Sequence, residues 1–187
     1  MQNFWISLPV YEAQGVRMDS RKYLLPFSLT ALVVILDQIT KAYVVANWPR
    51  PGTLIADVFN NDILLFYHVR NKAIAFSIGD GLPHQFRLVL FVIVPIGVLA
   101  FLIWYYFRTD EFTLPQRWAI AGIIGGGIGN IIDRIFRKEG VVDFISVKFY
   151  GLFGLERWPT FNIADSSVVV CSIFLFFTLI VIRKKSA

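Results

Sequence analysis

The chain is poor in the side chains that many soluble enzymes use for chemistry. Its 187 residues include one cysteine, Cys171, and two histidines, His68 and His84. A single cysteine excludes an intrachain disulfide and a zinc centre built on thiolates, and its place inside an apolar run favours a small buried side chain. Neither histidine belongs to a His-Glu-x-x-His sequence, which argues against a zinc protease.

Other hydrolase signatures are missing as well. The chain has no Gly-x-Ser-x-Gly sequence and no serine with an obvious Lys or His base at helical spacing, so a serine mechanism is unsupported. It also lacks Asp-Thr/Ser-Gly and Gly-x-Gly-Asp, the marks of soluble aspartic proteases and of presenilin-like enzymes.

Charge is also scarce, since only 17% of the residues are charged and the net charge is +5. The basic residues mostly flank apolar runs and do not alternate with aromatic residues. Lipid headgroups therefore explain the positive charge better than nucleic acid does, and no nucleic-acid partner is expected.

Apolar sequence is what the chain has in abundance, at 56% of its residues. Four runs reach the roughly 20 residues that cross a bilayer, namely residues 24–46, 88–107, 118–136 and 163–182. The first run is too long for the apolar part of a signal peptide, so it is interpreted as a retained span. The pattern predicts a mainly α integral membrane protein built as a bundle of four transmembrane helices.

Four spans place both chain ends on the same side of the membrane. Basic residues abut the spans on that side, which predicts that it is cytoplasmic; they are Arg21, Lys22, Arg108, Arg117 and residues 183–185. On this interpretation residues 1–22 form an N-terminal cytoplasmic extension and residues 23–187 a single membrane domain. Either residues 1–17 are dispensable or translation begins at Met18.

Polar residues of the spans collect at one depth, on the outer side. Asp37, Thr40 and Lys41 lie toward the end of the first span, Asn130, Asp133 and Arg134 toward the end of the third, and Asn162 and Asp165 open the fourth. A charge at the bilayer centre costs roughly 2.5–3.5 kcal/mol on insertion scales, so these side chains should face inward and pair.

The charged residues fall into two kinds. Asp37 with Lys41, and Asp133 with Arg134, are interpreted as structural ion pairs. Asp143 and Asp165 have no cation three or four residues away. Two carboxylates brought together can share one proton and act as an acid–base pair in hydrolysis, so these two are the candidate reactive groups.

Glycines of the third span repeat at four-residue spacing, at 122 and 126 and at 125 and 129. Such spacing lets helices approach closely. A phosphate-binding loop is the alternative, but neither a preceding strand nor a following Lys-Ser/Thr supports it.

The outer segments are rich in strand-forming residues. Residues 63–69 and 141–150 predict strands of a small extracytoplasmic sheet, which would place Asp143 over the start of the fourth span. Residues 151–159 are interpreted as an interfacial loop whose Leu152, Phe153 and Trp158 contact lipid headgroups.

Five motifs together resemble one family, the bacterial lipoprotein signal peptidases, also called signal peptidase II. They occur in family order and at family-like spacing across nearly the whole chain. They are residues 37–41 (Asp-Gln-Ile-Thr-Lys), 71–76 (Asn-Lys-Ala-Ile-Ala-Phe), 126–134 (Gly-Gly-Ile-Gly-Asn-Ile-Ile-Asp-Arg), 141–144 (Val-Val-Asp-Phe) and 161–166 (Phe-Asn-Ile-Ala-Asp-Ser). One departure is Ala73, where the family has glycine.

The resemblance implies an aspartic endopeptidase of the bacterial inner membrane, with its active site on the extracytoplasmic side. It would remove signal peptides from prolipoproteins by cutting before a diacylglyceryl-modified cysteine. By the family pattern Asp143 and Asp165 are the catalytic pair, without a metal or other cofactor. The positions that match site or substrate contacts are Asn71, Asn130, Arg134 and Asn162, with Asp37, Lys41 and Asp133 in support.

The resemblance also implies membrane lipid and lipidated precursors as partners, and inhibition by the cyclic peptide globomycin. Nothing in the chain demands more than a monomer. Asn162 would orient a carboxylate or hold substrate backbone, and Arg134 would hold a substrate carbonyl or shape the field at the carboxylates. Two rival interpretations are a small transporter or channel, which would need a second polar cluster on the cytoplasmic half, and a non-catalytic scaffold, which leaves Asp143 and Asp165 without a purpose.

Overall fold

The structure, a computed structural model, describes residues 20–72 and 83–185. The expectations about residues 1–17, the Met18 start and Ala73 fall outside these residues. The boundary expected after residue 22 lies inside the first described helix, α1 (Ser20–Leu24).

Four helices in the described part of the chain are long and apolar enough to cross a membrane, which confirms the predicted spans. They cover Arg21–Asn47, Gln85–Arg108, Leu114–Phe136 and Ile163–Ile180. The first span joins α1 to α2 (Phe27–Asn47), and Pro26 stands at the junction. Proline has no backbone N–H, so it fits the start of a helix better than its interior.

The second span is irregular where it enters the bundle. It consists of α3 (His84–Leu88), a π-helical segment (Val89–Ile93) and α4 (Val94–Arg108), with Pro95 in the first turn of α4. π-Helical turns inside α-helices are often found at functional sites. The residues that face this π-helical segment are therefore candidates for a functional site.

The third span, α5 (Leu114–Phe136), is the centre of the bundle. In its most apolar stretch 56% of the residues are buried, whereas in the second and fourth spans only 6% are. Most side chains of those two helices therefore face lipid. The fourth span is α6 (Ile163–Lys185). The Gln116 side chain accepts a hydrogen bond from the Thr113 N–H and so helps to cap the start of α5.

Glycines let α2 and α6 approach α5 closely, as their spacing predicted. A methyl group added at Gly126 would overlap the Ala164 carbonyl oxygen of α6 and lie 2.7 Å from Val168 Cγ2. One added at Gly129 would lie 2.7 Å from Asp37 Oδ2 and 3.2 Å from Ala164 Cβ. Backbone thus comes within van der Waals contact at the level of the polar residues.

An antiparallel sheet caps one end of the bundle. Its strands are β1 (Leu54–Asp57), β2 (Leu64–Asn71), β3 (Val141–Leu152) and β4 (Leu155–Arg157), in the order β1-β2-β3-β4. Strand β2 confirms the prediction for residues 63–69, and β3 the prediction for 141–150. The short strand β1 was not predicted.

The register of β3 puts Asp143 next to two other segments. Val69 pairs with Asp143, and Asn71 pairs with Val141. On the other edge, Ile145 bridges to Phe161, and the Phe144 N–H donates to the Phe161 carbonyl at 3.0 Å. Asp143 therefore lies over the start of α6, as expected.

The interpretation of residues 151–159 as a loop was wrong, because part of the segment forms a strand. The segment turns at Gly154 (φ +78°) and returns as β4, where Arg157 pairs with Lys148. Arg157 stabilises this hairpin by donating to the Ser146 hydroxyl and carbonyl, both at 2.8 Å. Phe153 at the turn is 85% exposed, and Leu152 and Trp158 are also exposed.

Gly126→Ala should disrupt the contact between α5 and α6, because its methyl group would collide with backbone that cannot rotate away. Overpacking of this kind costs roughly 1–3 kcal/mol, to be measured by unfolding in mixed micelles. Gly97→Ala is the matched control, since no heavy atom lies within 4 Å of the added methyl group. Equal stability of the two variants would mean that α5 and α6 do not pack as closely as described.

Candidate active site

A buried ammonium group organises the polar end of the bundle. Lys41 is completely buried on α2, and its Nζ lies 2.8 Å from Asp37 Oδ2 and 3.1 Å from Asp133 Oδ2. It also donates to Asn130 Oδ1 at 3.0 Å. The three N–H bonds of the ammonium thus have three acceptors, which is what a buried cation requires.

The predicted pairing of Asp133 with Arg134 was wrong. Asp133 pairs with Lys41 and Arg137. The Arg137 Nε lies 2.9 Å from Asp133 Oδ1, four residues along α5. Neighbouring residues on a helix point in directions about 100° apart, so Arg134 faces another part of the molecule. The predicted pairing of Asp37 with Lys41 is confirmed.

The two carboxylates beside Lys41 also hold the segments that carry the candidate reactive groups. Asp37 Oδ1 accepts the Ala164 N–H at 3.0 Å, in the first turn of α6. Asp133 Oδ2 accepts the Val142 N–H at 3.1 Å, at the start of β3. The same ion cluster therefore anchors the residues next to Asp165 and next to Asp143.

Asp165 belongs to a capping box at the start of α6. The Asp165 N–H donates to Asn162 Oδ1 at 2.9 Å, and the Asn162 N–H donates to Asp165 Oδ2 at 3.2 Å. Asn is a favoured N-cap residue, and an acidic side chain in the first turn is stabilised by the helix dipole. The local sequence Asn-Ile-Ala-Asp thus holds the carboxylate in one orientation.

Asp143 is held by two amide side chains. It is 2% exposed on β3, where Asn71 Nδ2 donates to its Oδ2 at 3.0 Å and Asn162 Nδ2 donates to its Oδ1 at 2.7 Å. Both oxygens are therefore oriented by neutral donors, and no salt bridge reaches this carboxyl among the described residues.

Amide groups link the two candidate carboxylates into one cluster. Asn130 Nδ2 donates to Asp165 Oδ1 at 2.7 Å, and Asn130 Oδ1 accepts from Asn162 Nδ2 at 3.1 Å. Asn162 itself contacts both carboxylates, through its side chain to Asp143 and its backbone to Asp165. The two acids are thus linked through amide groups, and within the described residues neither of them forms a salt bridge.

The surroundings of Asp143 favour its protonated form. Burial, and after it the nearby charge of Asp165, raise the pKa of Asp143 from 3.8 to about 7. The hydrogen bonds from Asn71 and Asn162 act in the opposite direction but do not cancel these effects. Near neutral pH this carboxyl is therefore able to donate a proton.

Arg134 contacts the irregular part of the second span. Its Nη1 donates to the Phe91 carbonyl at 2.9 Å, and its guanidinium lies 5.5 Å from the centre of the Phe91 ring. In a regular α-helix that carbonyl would accept from residue 95, which is a proline without an N–H. Arg134 is thus fixed beside the cluster and interacts electrostatically with Asp165 and Asp143.

Eight of the nine predicted site residues lie in one connected network, and Arg134 borders it. Two further members were not predicted. Gln38 donates to Asp37, to the Gly129 carbonyl and to Asp133, each at 3.1 Å. Arg137 could have been found from its spacing of four from Asp133, and Gln38 from its place inside the 37–41 motif.

The fold and the network define a class of protein, an integral membrane protein with paired carboxyl groups at one end of its helices. Residues 29–181 match the family model for signal peptidase (SPase) II. The chain belongs to this family of proteases.

Curated relatives agree over most of the chain. The chain is 47% identical over 171 residues to the lipoprotein signal peptidase of Treponema denticola, with 90% of this chain and 97% of the relative covered. Identity is 44% to that of Treponema pallidum, with 90% and 89% covered. It is 40% to that of Borreliella burgdorferi, with 88% and 95% covered.

Solved structures agree with the fold. One described as a bacterial membrane enzyme structure obtained by the in meso method at 2.3 Å has a TM-score of 0.72 and 29% identity, and covers 87% of this chain and 92% of that chain. A second, at 1.9 Å, has a TM-score of 0.67 and 30% identity, and covers 83% and 92%.

Lys41→Met should leave Asp37 and Asp133 buried with only Arg137 to balance them. Removing one partner of a buried ion network costs roughly 3–5 kcal/mol, so we expect a strong loss of stability to unfolding and a low yield of folded protein. Thermal unfolding of the purified protein in detergent measures this change.

Lys148→Met is the matched control, because Lys148 pairs with Asp62 at 3.4 Å in a half-exposed position on the sheet. Exposed pairs contribute about 0–1 kcal/mol. If Lys41→Met were as stable as Lys148→Met, the ion cluster would not be the anchor of this end of the bundle.

Proposed function

We propose that Asp143 and Asp165 are the catalytic acid–base pair with which this signal peptidase removes signal peptides from prolipoproteins. The observation that carries the proposal is the position of Asn162, which donates its side-chain N–H to Asp143 and its backbone N–H to Asp165. One residue thus contacts both carboxyl groups. Such a pair shares one proton and titrates as a unit.

The proposed roles follow from the environment of each carboxyl group. Asp143, whose pKa is raised to about 7, holds the shared proton. Asp165, at the positive end of the α6 dipole and with donors from Asn130 and Asn162, is the ionised partner. Asp165 takes a proton from a water molecule, which attacks the scissile carbonyl carbon, and Asp143 gives its proton to the carbonyl oxygen.

Collapse of the tetrahedral intermediate reverses these roles. Asp165 then gives the proton that it holds to the leaving amine, and Asp143 recovers its proton from the hydroxyl group of the intermediate. The bond to the amine breaks without a covalent enzyme intermediate, and the single proton of the dyad is again on Asp143. Asn71 and Asn130 keep the carboxylates in place through the cycle. Arg134 would bind a carbonyl oxygen of the substrate or shape the electric field at the two carboxyl groups.

More specifically, we propose that the substrate is a precursor whose cysteine already carries diacylglycerol. The enzyme would cut immediately before that cysteine. The site lies where the spanning helices meet the sheet, so it is at the level of the membrane surface, where acyl chains hold such a cysteine. We place the enzyme in the bacterial inner membrane with this end extracytoplasmic, which accords with the basic residues at the other ends of the spans.

Residues 23–187 then form one peptidase domain that works as a monomer among membrane lipids. Globomycin-type cyclic peptides would inhibit it by occupying the space between the two carboxyl groups.

Asp143→Asn and Asp165→Asn should each lower cleavage of a lipidated precursor by at least about 10²–10⁴-fold, the usual contribution of a general acid or base. Because amides replace the carboxyl groups with little change in shape, both variants should still insert and unfold at nearly the wild-type temperature. Cleavage is followed by the mass shift of the precursor on a gel.

Glu156→Gln is the matched control for these two variants. It also neutralises an acid at the sheet end of the molecule, but Glu156 is exposed on the β3–β4 hairpin. We expect wild-type rates from it. Full processing by either aspartate variant would remove that residue from the dyad.

The pH dependence follows from the raised pKa of Asp143. Below about pH 7 this carboxyl keeps its proton and can act as the acid, and above it the proton is lost. We therefore expect kcat/KM to fall about tenfold per pH unit on the alkaline side. A pH profile measured with one precursor in one detergent tests this, and a rate that still rises between pH 7 and 9 would contradict it.

A further inference from the structure

A basic cavity of about 240 Å³ lies between the start of the second span and the end of the third. Five cationic side chains line it, namely Lys72, Arg87, Arg134, Arg137 and Lys138, and none of the lining residues that the structure describes is acidic. Several cations around one concave space repel one another unless an anion joins them.

Two of these cations are bound by other groups in the described part of the chain. Arg137 pairs with Asp133, and Arg134 donates to the Phe91 carbonyl. Glu139, which follows Lys138 in the chain, forms an ion pair with Arg70 of β2, whose Nε lies 3.4 Å from Glu139 Oε2. Lys72, Arg87 and Lys138 have no ion pair within residues 20–72 and 83–185.

The strongest argument that the cavity binds an anion comes from Arg87. Its Nε is buried and has no hydrogen-bond partner among the described residues. Buried donors of native proteins are nearly always satisfied, so an acceptor from a bound molecule is expected here. Arginine suits an anion with several oxygens, because its N–H groups form a planar fork.

The depth of the cavity identifies the source of the anion. Arg87 is near the start of the span Gln85–Arg108, and Arg137 directly follows the span Leu114–Phe136. Phe86 and Phe136, next to these arginines, are 59% and 77% exposed and would face acyl chains. A cavity flanked in this way lies at the level of lipid phosphate groups.

We propose that this cavity binds the phosphodiester headgroup of an anionic membrane phospholipid. Its volume is below the range of about 300–1,000 Å³ that holds whole ligands, so it accepts the headgroup while the acyl chains remain in the bilayer beside Phe86 and Phe136. Arg134 borders both the cavity and the carboxyl cluster, so a bound lipid lies next to the path by which a membrane-held substrate reaches the dyad.

Native mass spectrometry of the full chain, released from bilayers of phosphatidylcholine with a minor share of phosphatidylglycerol, tests the proposal. The wild type should retain one phosphatidylglycerol in preference to phosphatidylcholine. Arg87→Gln and, separately, Lys138→Gln should lower that retention about tenfold, the usual effect of losing a charged hydrogen bond.

Arg108→Gln is the matched control, because Arg108 is an exposed arginine at the other end of the same span. It should retain phosphatidylglycerol as the wild type does. Thermal unfolding of each variant in phosphatidylcholine alone checks that both cavity variants are folded.

Three results would overturn the proposal. Equal loss of retention in Arg87→Gln and Arg108→Gln would reveal a general attraction of basic residues to anionic lipid. Displacement of the lipid by inorganic phosphate would assign the cavity to the free ion. A concentration of about 1 mM is suitable, because it corresponds to weak specific binding. Unchanged lipid retention in Arg87→Gln, with weaker binding of precursors that have acidic residues after the cut, would assign it to the substrate.

Discussion

The contact on which the rest of the site depends is that of the Lys41 ammonium with Asp37 and Asp133. All three side chains are completely buried, and Arg137 completes a group of two cations and two anions. Each carboxylate uses its other interactions to hold backbone, at Ala164 in one case and at Val142 in the other. The two segments that bring Asp165 and Asp143 together are thus fixed to a single cation. Buried ion groups are a weak source of stability in general. Here their main effect is to hold the segments that carry Asp143 and Asp165 in place.

The architecture could be predicted from the sequence because its causes are local. Apolar runs of spanning length, glycines four residues apart and β-branched outer segments predicted the four helices, their close packing around α5 and strands β2 and β3. The depth argument also held, since polar residues at the ends of alternate spans do meet at one end. The five motifs predicted the family, which the relatives confirm.

What could not be predicted depends on long-range geometry. Asp133 was assigned to Arg134 because they are neighbours in sequence, but helix rotation sends Asp133 toward Lys41 and Arg134 toward the Phe91 carbonyl. No sequence pattern shows that Arg134 reaches the Phe91 carbonyl on the neighbouring helix. The return of residues 155–157 as β4 was missed for a similar reason, since its strength comes from Arg157 contacts to Ser146 and Asp62.

The central claim is that two carboxyl groups share one proton at neutral pH, held on Asp143. Infrared spectroscopy of the folded enzyme tests it directly, because a protonated carboxyl group has a carbonyl stretch separate from that of a carboxylate. The account predicts a protonated-carboxyl band that disappears as the pH rises through about 7 and is missing from Asp143→Asn. A spectrum in which that band is absent at pH 6, or is unchanged in Asp143→Asn, would contradict it.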